Sequence, residues 1–432
     1  MIKCDSETRN CDQISQSRKR FLSSKLKKLK KEEIALKKNM LMSLLALLVT
    51  FSILGGFAGL AFASEAPIKI GHLRSLTGPI AITNDKMVKG FNLAMELANY
   101  QVAGRKVEII LEDDGAKAEV AIDKARKLVE KDKVDMIVGP TTGGLQMGIS
   151  TYMNRIGIPN IHSNSSPYGI IAQKHKWTIQ VGGTTQQIPS CGGRYAYEKL
   201  GIKKAIVIGE DSAAGHNYVG AFLGGYKKAG GELIQEQWTP LGCSDYAPYF
   251  AAAKPAGGCI VWTSGRDSIN ILNQYYAFGM WDKMPMFPAY QGAIIESFIL
   301  ARLQPKAAEA LVGLVCPIQY SPHFDNETNK KFIEAYQKKY NMPPDNAEST
   351  AFNAALVILA ALEATGGDTT PQKFMDAMLA TTITTTEGPV RFDKNKKSPI
   401  MNVSISKLEK GGKGLEFSAP IFVYKDVPPE GL

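Results

Sequence analysis

From residue 66 onward the apolar positions switch repeatedly between two periods. Short apolar runs of strand character stand at Ile68–Leu73, Val107–Leu111, Val134–Val138 and Ile156–Ile161. Between them Met87, Phe91, Met95 and Ala98 share one helical face, and Val120, Ala121, Ala125, Leu128 and Val129 share another. Successive β-α-β units predict a parallel sheet with helices on both faces. The pattern then restarts. Strands are expected at Ala205–Gly209, Glu232–Trp238, Cys259–Trp262 and Pro285–Pro288, with helices at Tyr218–Ala229 and Ser268–Gly279. Helical patterns follow at Asn326–Tyr340 and Ala347–Thr365, and Val390–Val423 is β-rich. The expected fold class is α/β, with two similar Rossmann-like lobes built on parallel sheets.

The segment before this pattern is different. Met40–Ala63 carries no charge, follows a basic stretch and ends Ala61-Phe62-Ala63. A basic flank, an apolar core and small residues at the end predict a secretory signal peptide cleaved after Ala63. The competing reading is a retained transmembrane anchor. Residues 1–39 hold 12 basic and 5 acidic residues, so +7 of the chain's net +10 lies there and +3 remains from Ser64 on. This basic extension is expected to be absent from the mature protein, which removes the motive for a nucleic-acid partner. No basic stripe interleaved with aromatics replaces it. At 432 residues and 44% hydrophobic, the chain is long enough for two sizeable cores.

The chemistry-bearing residues point to binding. The expected strand ends lead into Ser75–Pro79, Gly139–Gly144 and His162–Pro167, loops of glycines and hydroxyls at the edge where open α/β sheets take ligands. Phosphate-loop, nucleophile-elbow and zinc-helix motifs are all missing. His72, His162, His175, His216 and His323 show no metal-ligand spacing, and Glu112-Asp113-Asp114 reads as a strand-end cap cluster. No metal and no cofactor is expected. Cys4 and Cys11 precede the apolar segment; Cys191, Cys243, Cys259 and Cys316 form no C-x-x-C pair and are open to disulfide pairing or to burial as free thiols.

A series of motifs then carries a family resemblance. I-K-I-G-x-L and L-T-G-P fall within Ile68–Pro79, M-V-K-G-F-N-L-A at Met87–Ala94, and E-D-D-G at Glu112–Gly115. D-x-I-V-G-P-T-T follows at Asp135–Thr142 and G-I-P-x-I-x-S at Gly157–Ser163. A-I-V-I-G-E-D at Ala205–Asp211, S-D-Y at Ser244–Tyr246 and E-G-P-V-R-F-D at Glu387–Asp393 complete an ordered set over residues 66–425. The chain resembles the periplasmic solute-binding proteins of ABC transporters, in the leucine/isoleucine/valine-binding branch. The resemblance implies the type I periplasmic binding fold, with a three-segment hinge between lobes. It places residues 64–185 and 318–395 in an N-terminal lobe and 186–317 and 396–432 in a C-terminal one. It also implies periplasmic localisation, a monomer, a small-molecule ligand and a membrane permease as partner.

The family's ligand contacts carry over unevenly. Gly143, beside Thr142, stands where the amino-acid binders have a hydroxyl; Ser163 matches a backbone contact, and Ser165 a hydroxyl that holds the carboxylate. Thr83 and Ala214 replace bracketing aromatics, and Gln291 stands where an acid pairs with the α-ammonium. Arg74, at a usually small site, and Arg266 are candidates to grip a carboxylate. Thr77 joins them on the first loop. Trp262, Tyr290 and Tyr152 are candidates to stack on the ligand, core packing being the commoner fate of such rings. The expected function is the extracytoplasmic receptor of an ABC importer. Its solute is a small carboxylate lacking a free α-ammonium, with an aromatic or apolar body, in preference to an amino acid. A sensor of the same fold and an enzyme are the alternatives.

Overall fold

The structure, a computed structural model, describes residues 66–432 apart from 79, 167–174 and 413. The basic extension, the apolar segment with its cleavage site, Cys4, Cys11, Pro79 and Pro167 lie outside the described residues.

The first sheet contains β1 (Ile68–Arg74), β2 (Gln101–Val102), β3 (Arg105–Asp113), β4 (Met136–Val138), β5 (Asn160–His162) and β6 (Thr178–Gln180), in the order β2-β3-β1-β4-β5-β6. All neighbours are parallel except β2 and β3. That pair turns through Ala103 and Gly104, both at positive φ as a tight hairpin requires. Period-two alternation divides the core. Ile68 and Ile70 pack with the helix Ala81–Leu97 and the helix Asn346–Ala364 on one face. Leu73 packs with the helices Ala118–Glu130 and Gly143–Ile156 on the other.

Asn346–Ala364 is apolar and long enough to cross a bilayer, yet it is mostly buried inside this lobe. Its start is fixed by a capping box between Asp345 and Glu348. Gly90 lets Ala81–Leu97 lie directly on that start: a Cβ there would sit 2.1 Å from the Glu348 carbonyl oxygen.

The second sheet is fully parallel, with β7 (Lys204–Glu210), β8 (Glu232–Thr239), β9 (Gly258–Trp262) and β10 (Met286–Pro288) in the order β10-β9-β7-β8. Ala205 and Val207 face the helices Gln187–Glu198 and Ala213–Lys228. Ile206 and Ile208 face the helix Gly265–Ala277. The first two of these helices touch backbone to backbone, since a Cβ on Gly225 would sit 2.0 Å from the Ser190 carbonyl oxygen.

A third, antiparallel sheet joins the lobes. It holds β11 (Val315–Ile318), β12 (Ile383–Thr385), β13 (Gly388–Asp393), β14 (Ser398–Gly411), β15 (Gly414–Phe417) and β16 (Phe422–Val427). The start of β14 pairs with β13, while Ser404–Lys407 pairs with β11. Its register against β16 breaks between Met401 and Val403. Met401 belongs to the first core, and Val403 and Ile405 to the second.

The expected two-lobed α/β architecture is the observed one. Particular elements differ. Ile156 ends the helix Gly143–Ile156, which stops at Gly157 in the left-handed region, so the fourth strand begins only at Asn160. Gly143, Gly144 and Gly148 dilute the apolar contrast that would have announced that helix. Cys191, Cys243, Cys259 and Cys316 are all buried free thiols, each in a lobe core or strand instead of a disulfide.

Candidate functional site

The C-terminal ends of both parallel sheets open onto one cleft of about 990 Å³. The first lobe contributes Thr83 and Met87 from Ala81–Leu97, Thr141–Gly144 after β4, Asn164 and Ser165 after β5, and Asn346 at the start of Asn346–Ala364. Thr142 is the N-cap of Gly143–Ile156, in extended backbone, and its side chain makes no capping hydrogen bond. The first amides of that helix therefore keep their donors, as does the hydroxyl. The second lobe contributes Ala214 and Tyr218 from Ala213–Lys228, Trp262 ending β9, Arg266 in the first turn of Gly265–Ala277, and Tyr290, Glu296 and Phe298.

Three rings on the second lobe form a continuous stack. Trp262 and Tyr218 lie 5.4 Å apart at 14°, and Tyr218 and Tyr290 lie 4.9 Å apart at 3°. The Tyr290 hydroxyl donates to Gln319 Oε1 at 2.8 Å, which locks its ring. The Tyr218 hydroxyl is directed at the Ser165 hydroxyl of the opposite lobe without closing a hydrogen bond to it. Burial holds the Tyr218 pKa well above the ordinary phenol value.

Buried polar atoms are normally satisfied, yet three that line this cleft lack partners among the described residues: Ser165 Oγ, Trp262 Nε1 and Asn346 Oδ1. Arg266 is exposed and makes no ion pair among the described residues. Glu296 is partly buried, and no donor among the described residues meets its carboxylate. Its pKa is pushed up to about 7 by burial and then by the negative Asp345 and Glu348, against the opposing pull of Lys86. The lobes touch beside it, where Ser297 N and Oγ donate to Asp345 Oδ2 at 3.3 and 2.6 Å.

Seven of the expected site residues line the cleft: Thr83, Thr142, Gly143, Ser165, Ala214, Arg266 and Tyr290. Four do not, and each has a structural occupation instead. Arg74 is fully buried behind the first wall, where it donates to His72 Nε2 at 2.8 Å, Thr141 Oγ1 at 3.1 Å and the Ser163 hydroxyl. Its last strand position points it into the lobe, where it braces the wall residue Thr141. Ser163 is fully buried as part of that network. Thr77 donates to Asp113 Oδ2 at 2.7 Å, at the strand-end cap. Gln291 clamps the crossing strand, donating to the Tyr320 carbonyl at 3.1 Å and accepting from Gln319 N at 3.2 Å.

Trp262 joins Tyr290 at the cleft, whereas Tyr152 is buried in the core of the first lobe. Glu296, Tyr218 and Asn346 are additions the sequence reading did not make. A usable signal existed for Glu296, the lone acid between Asp282 and Glu309.

With that geometry in hand, comparison with known proteins gives a consistent result. A family described as "Periplasmic binding protein" matches residues 67–413. The chain is similar to Leu/Ile/Val-binding protein homolog 6 of Brucella melitensis, 24% identical over 392 residues that cover 89% of this chain and 98% of that protein. Among solved structures it is similar to an ABC transporter substrate-binding protein from Sphaerobacter thermophilus, at 27% identity and TM-score 0.78, covering 83% of this chain and 98% of that one. It also shares its fold with a solute-binding protein of an ABC transporter from Rhodopseudomonas palustris BisB5 in complex with 3,4-dihydroxybenzoic acid. That match has 24% identity and TM-score 0.76, over 84% of this chain and 99% of that one.

Proposed function

The chain belongs to the periplasmic binding protein family, and from that premise we propose that it captures a small aromatic carboxylate without a free α-ammonium and delivers it to the permease of an ABC importer. The observation that carries this reading is the stack of Trp262, Tyr218 and Tyr290 across from the Ser165 hydroxyl and the first amides of Gly143–Ile156, which find no partner among the described residues, with Arg266 also lining the cleft and in no ion pair among them. A flat ring suits the stack, since offset aromatic contacts add to area burial. A carboxylate suits Arg266 with Thr142, Gly143 and Ser165, which together offer charge and hydrogen-bond donors. Thr83 and Ala214, small where bulk would narrow the cleft, leave room for the ring. The dihydroxybenzoate bound by the R. palustris protein is of the same class.

Hinge motion about the crossing strands would enclose the ligand, and a ligand closes the lobes only as far as it prefers the closed form. An amino acid is the second reading, favoured by one observation: Glu296 offers the carboxylate that Gln291 does not. Thermal-shift and calorimetric titration with leucine, benzoate-type acids and short aliphatic acids tests the choice. A ligand specific to the folded protein at about a hundred times its Kd adds roughly 2.7 kcal/mol to stability. Aromatic acids should raise the melting temperature and leucine should not. Tight leucine binding with the aromatic acids silent would overturn the reading.

A further inference from the structure

The cleft is lined by charges of both signs, Arg266 and Glu296. Arg266 lines it with no ion pair among the described residues, and the charges acting on Glu296 are Asp345, Glu348 and Lys86, with Arg266 not among them. Around Glu296 three carboxylates compete for one ammonium. Asp345 holds Lys86 Nζ at 3.2 Å. Glu348 accepts from the Tyr336 hydroxyl at 3.0 Å and from Asp345 N at 3.1 Å. Glu296 is left with a carboxylate that faces the cleft and receives no donor among the described residues. Beside Asp345, Asn346 Oδ1 is a second acceptor in the same state, on a residue only 8% exposed. Tyr218 and Tyr290 also line the cleft and feel the Glu296 charge. Neither donates to it: Tyr290 is committed to Gln319. Two neighbouring acceptors that receive no donor among the described residues, in a cleft also lined by the Arg266 cation, describe a ligand that carries both an anionic group and a hydrogen-bond donor.

We propose that Glu296 determines specificity within the cleft, accepting a hydrogen bond from a ring hydroxyl of the ligand and so selecting ring-hydroxylated aromatic acids over plain ones. The inference rests on the aromatic-acid reading above and deepens it. A hydrogen bond to an ionised carboxylate requires that carboxylate to be deprotonated, so the hydroxylated acid gains affinity as Glu296 ionises. A plain aromatic acid leaves the ionised group unpaired and gains nothing. The discrimination therefore grows from pH 6 to pH 8, across the titration of Glu296 at about 7.

Calorimetric titration of the protein with benzoate, 4-hydroxybenzoate, 4-methoxybenzoate and leucine at pH 6 and pH 8 tests this. At pH 8 the hydroxy acid should bind about tenfold or more tighter than benzoate, the scale of a hydrogen bond to a charged group. The methoxy acid, which has no donor, should bind no better than benzoate. E296Q should bring the hydroxy acid to within a few-fold of benzoate and remove the pH dependence. Equal binding of benzoate and the hydroxy acid by the unaltered protein at pH 8 overturns the inference. So does a preference that survives E296Q, and both results leave the aromatic-acid reading standing. Leucine binding with every aromatic acid silent overturns the reading itself, and the inference with it. The pH comparison on the unaltered protein decides the matter even if the variant does not fold.

Discussion

Replacing Arg74 with alanine separates a brace from a ligand anchor. The guanidinium has no exposed surface. Its removal leaves His72 Nε2 and Ser163 Oγ without their donor, while Thr141 keeps its bond to Asn84. Each stranded buried acceptor costs about 1–3 kcal/mol. Asp114, fully buried and bound to Ser75, loses the cation whose field it shares. Against these losses stands relief of the guanidinium's own desolvation, which already depresses its pKa. Breaking buried charge pairs by removing one partner nets about 3–5 kcal/mol of destabilisation, and we expect Arg74→Ala to fall in that range. Arg74→Lys keeps the charge but cannot fork to three acceptors, so its loss should be intermediate. Equilibrium denaturation, read as a midpoint shift at constant slope, gives the number. Calorimetry on the fraction that remains folded should show ligand affinity within a few-fold of the parent. A variant with an unchanged midpoint and no ligand binding would put the guanidinium in the cleft and refute this reasoning.

Other outcomes follow from the same structure. Arg266→Ala should weaken binding of an anionic ligand by roughly threefold to tenfold at low salt, without moving the melting temperature of the unliganded protein, because the side chain is exposed and makes no ion pair among the described residues; unchanged affinity at low salt would contradict it. Glu387 is held up at about 7 by burial, against hydrogen bonds from Gln319 and Ser349. Its folded pKa lies above its ordinary value of 4.5, so its stabilising contribution is full below about 4.5 and lost as pH rises through 7. E387Q should therefore gain up to about 3 kcal/mol on the parent between pH 5 and pH 8, and parallel melting profiles for the two proteins would dispose of the idea. Gly225→Ala forces Ala213–Lys228 off the Ser190 carbonyl and should cost about 1–3 kcal/mol or more. A melting temperature equal to the parent's would show that the helix contact is looser than it looks.

The fold was legible where period and burial agree. β1 and β7, covered on both faces, read as short apolar runs, and the helix Asn346–Ala364 announced itself by its helical pattern over Ala347–Thr365. The helices Gly143–Ile156 and Gln187–Glu198 did not, because glycines and a proline replace the apolar repeats where backbones pack closely. The site was legible at positions fixed by strand ends, such as Thr142 and Ser165. It was illegible where direction decides. Arg74 ends its strand one side-chain alternation away from the cleft, and nothing in the spacing says which way it turns. Gln291 and Glu296 are five positions apart, and only the fold shows that the first clamps backbone while the second faces the ligand space.

The passage of β14 from one core to the other also bears on how the chain is made. The first core needs Tyr320, Phe352 and Met401 as much as Ile68 and Ile70. The second needs Val403, Ile405, Leu408 and Val427 to cover strands laid down far earlier. A nascent chain growing from its amino terminus therefore completes neither lobe until the segment beyond Met401 has been synthesised. Until then it exposes two open half-cores and has no finished unit to fold around. The order of the segments along the chain itself delays folding until most of it has been made.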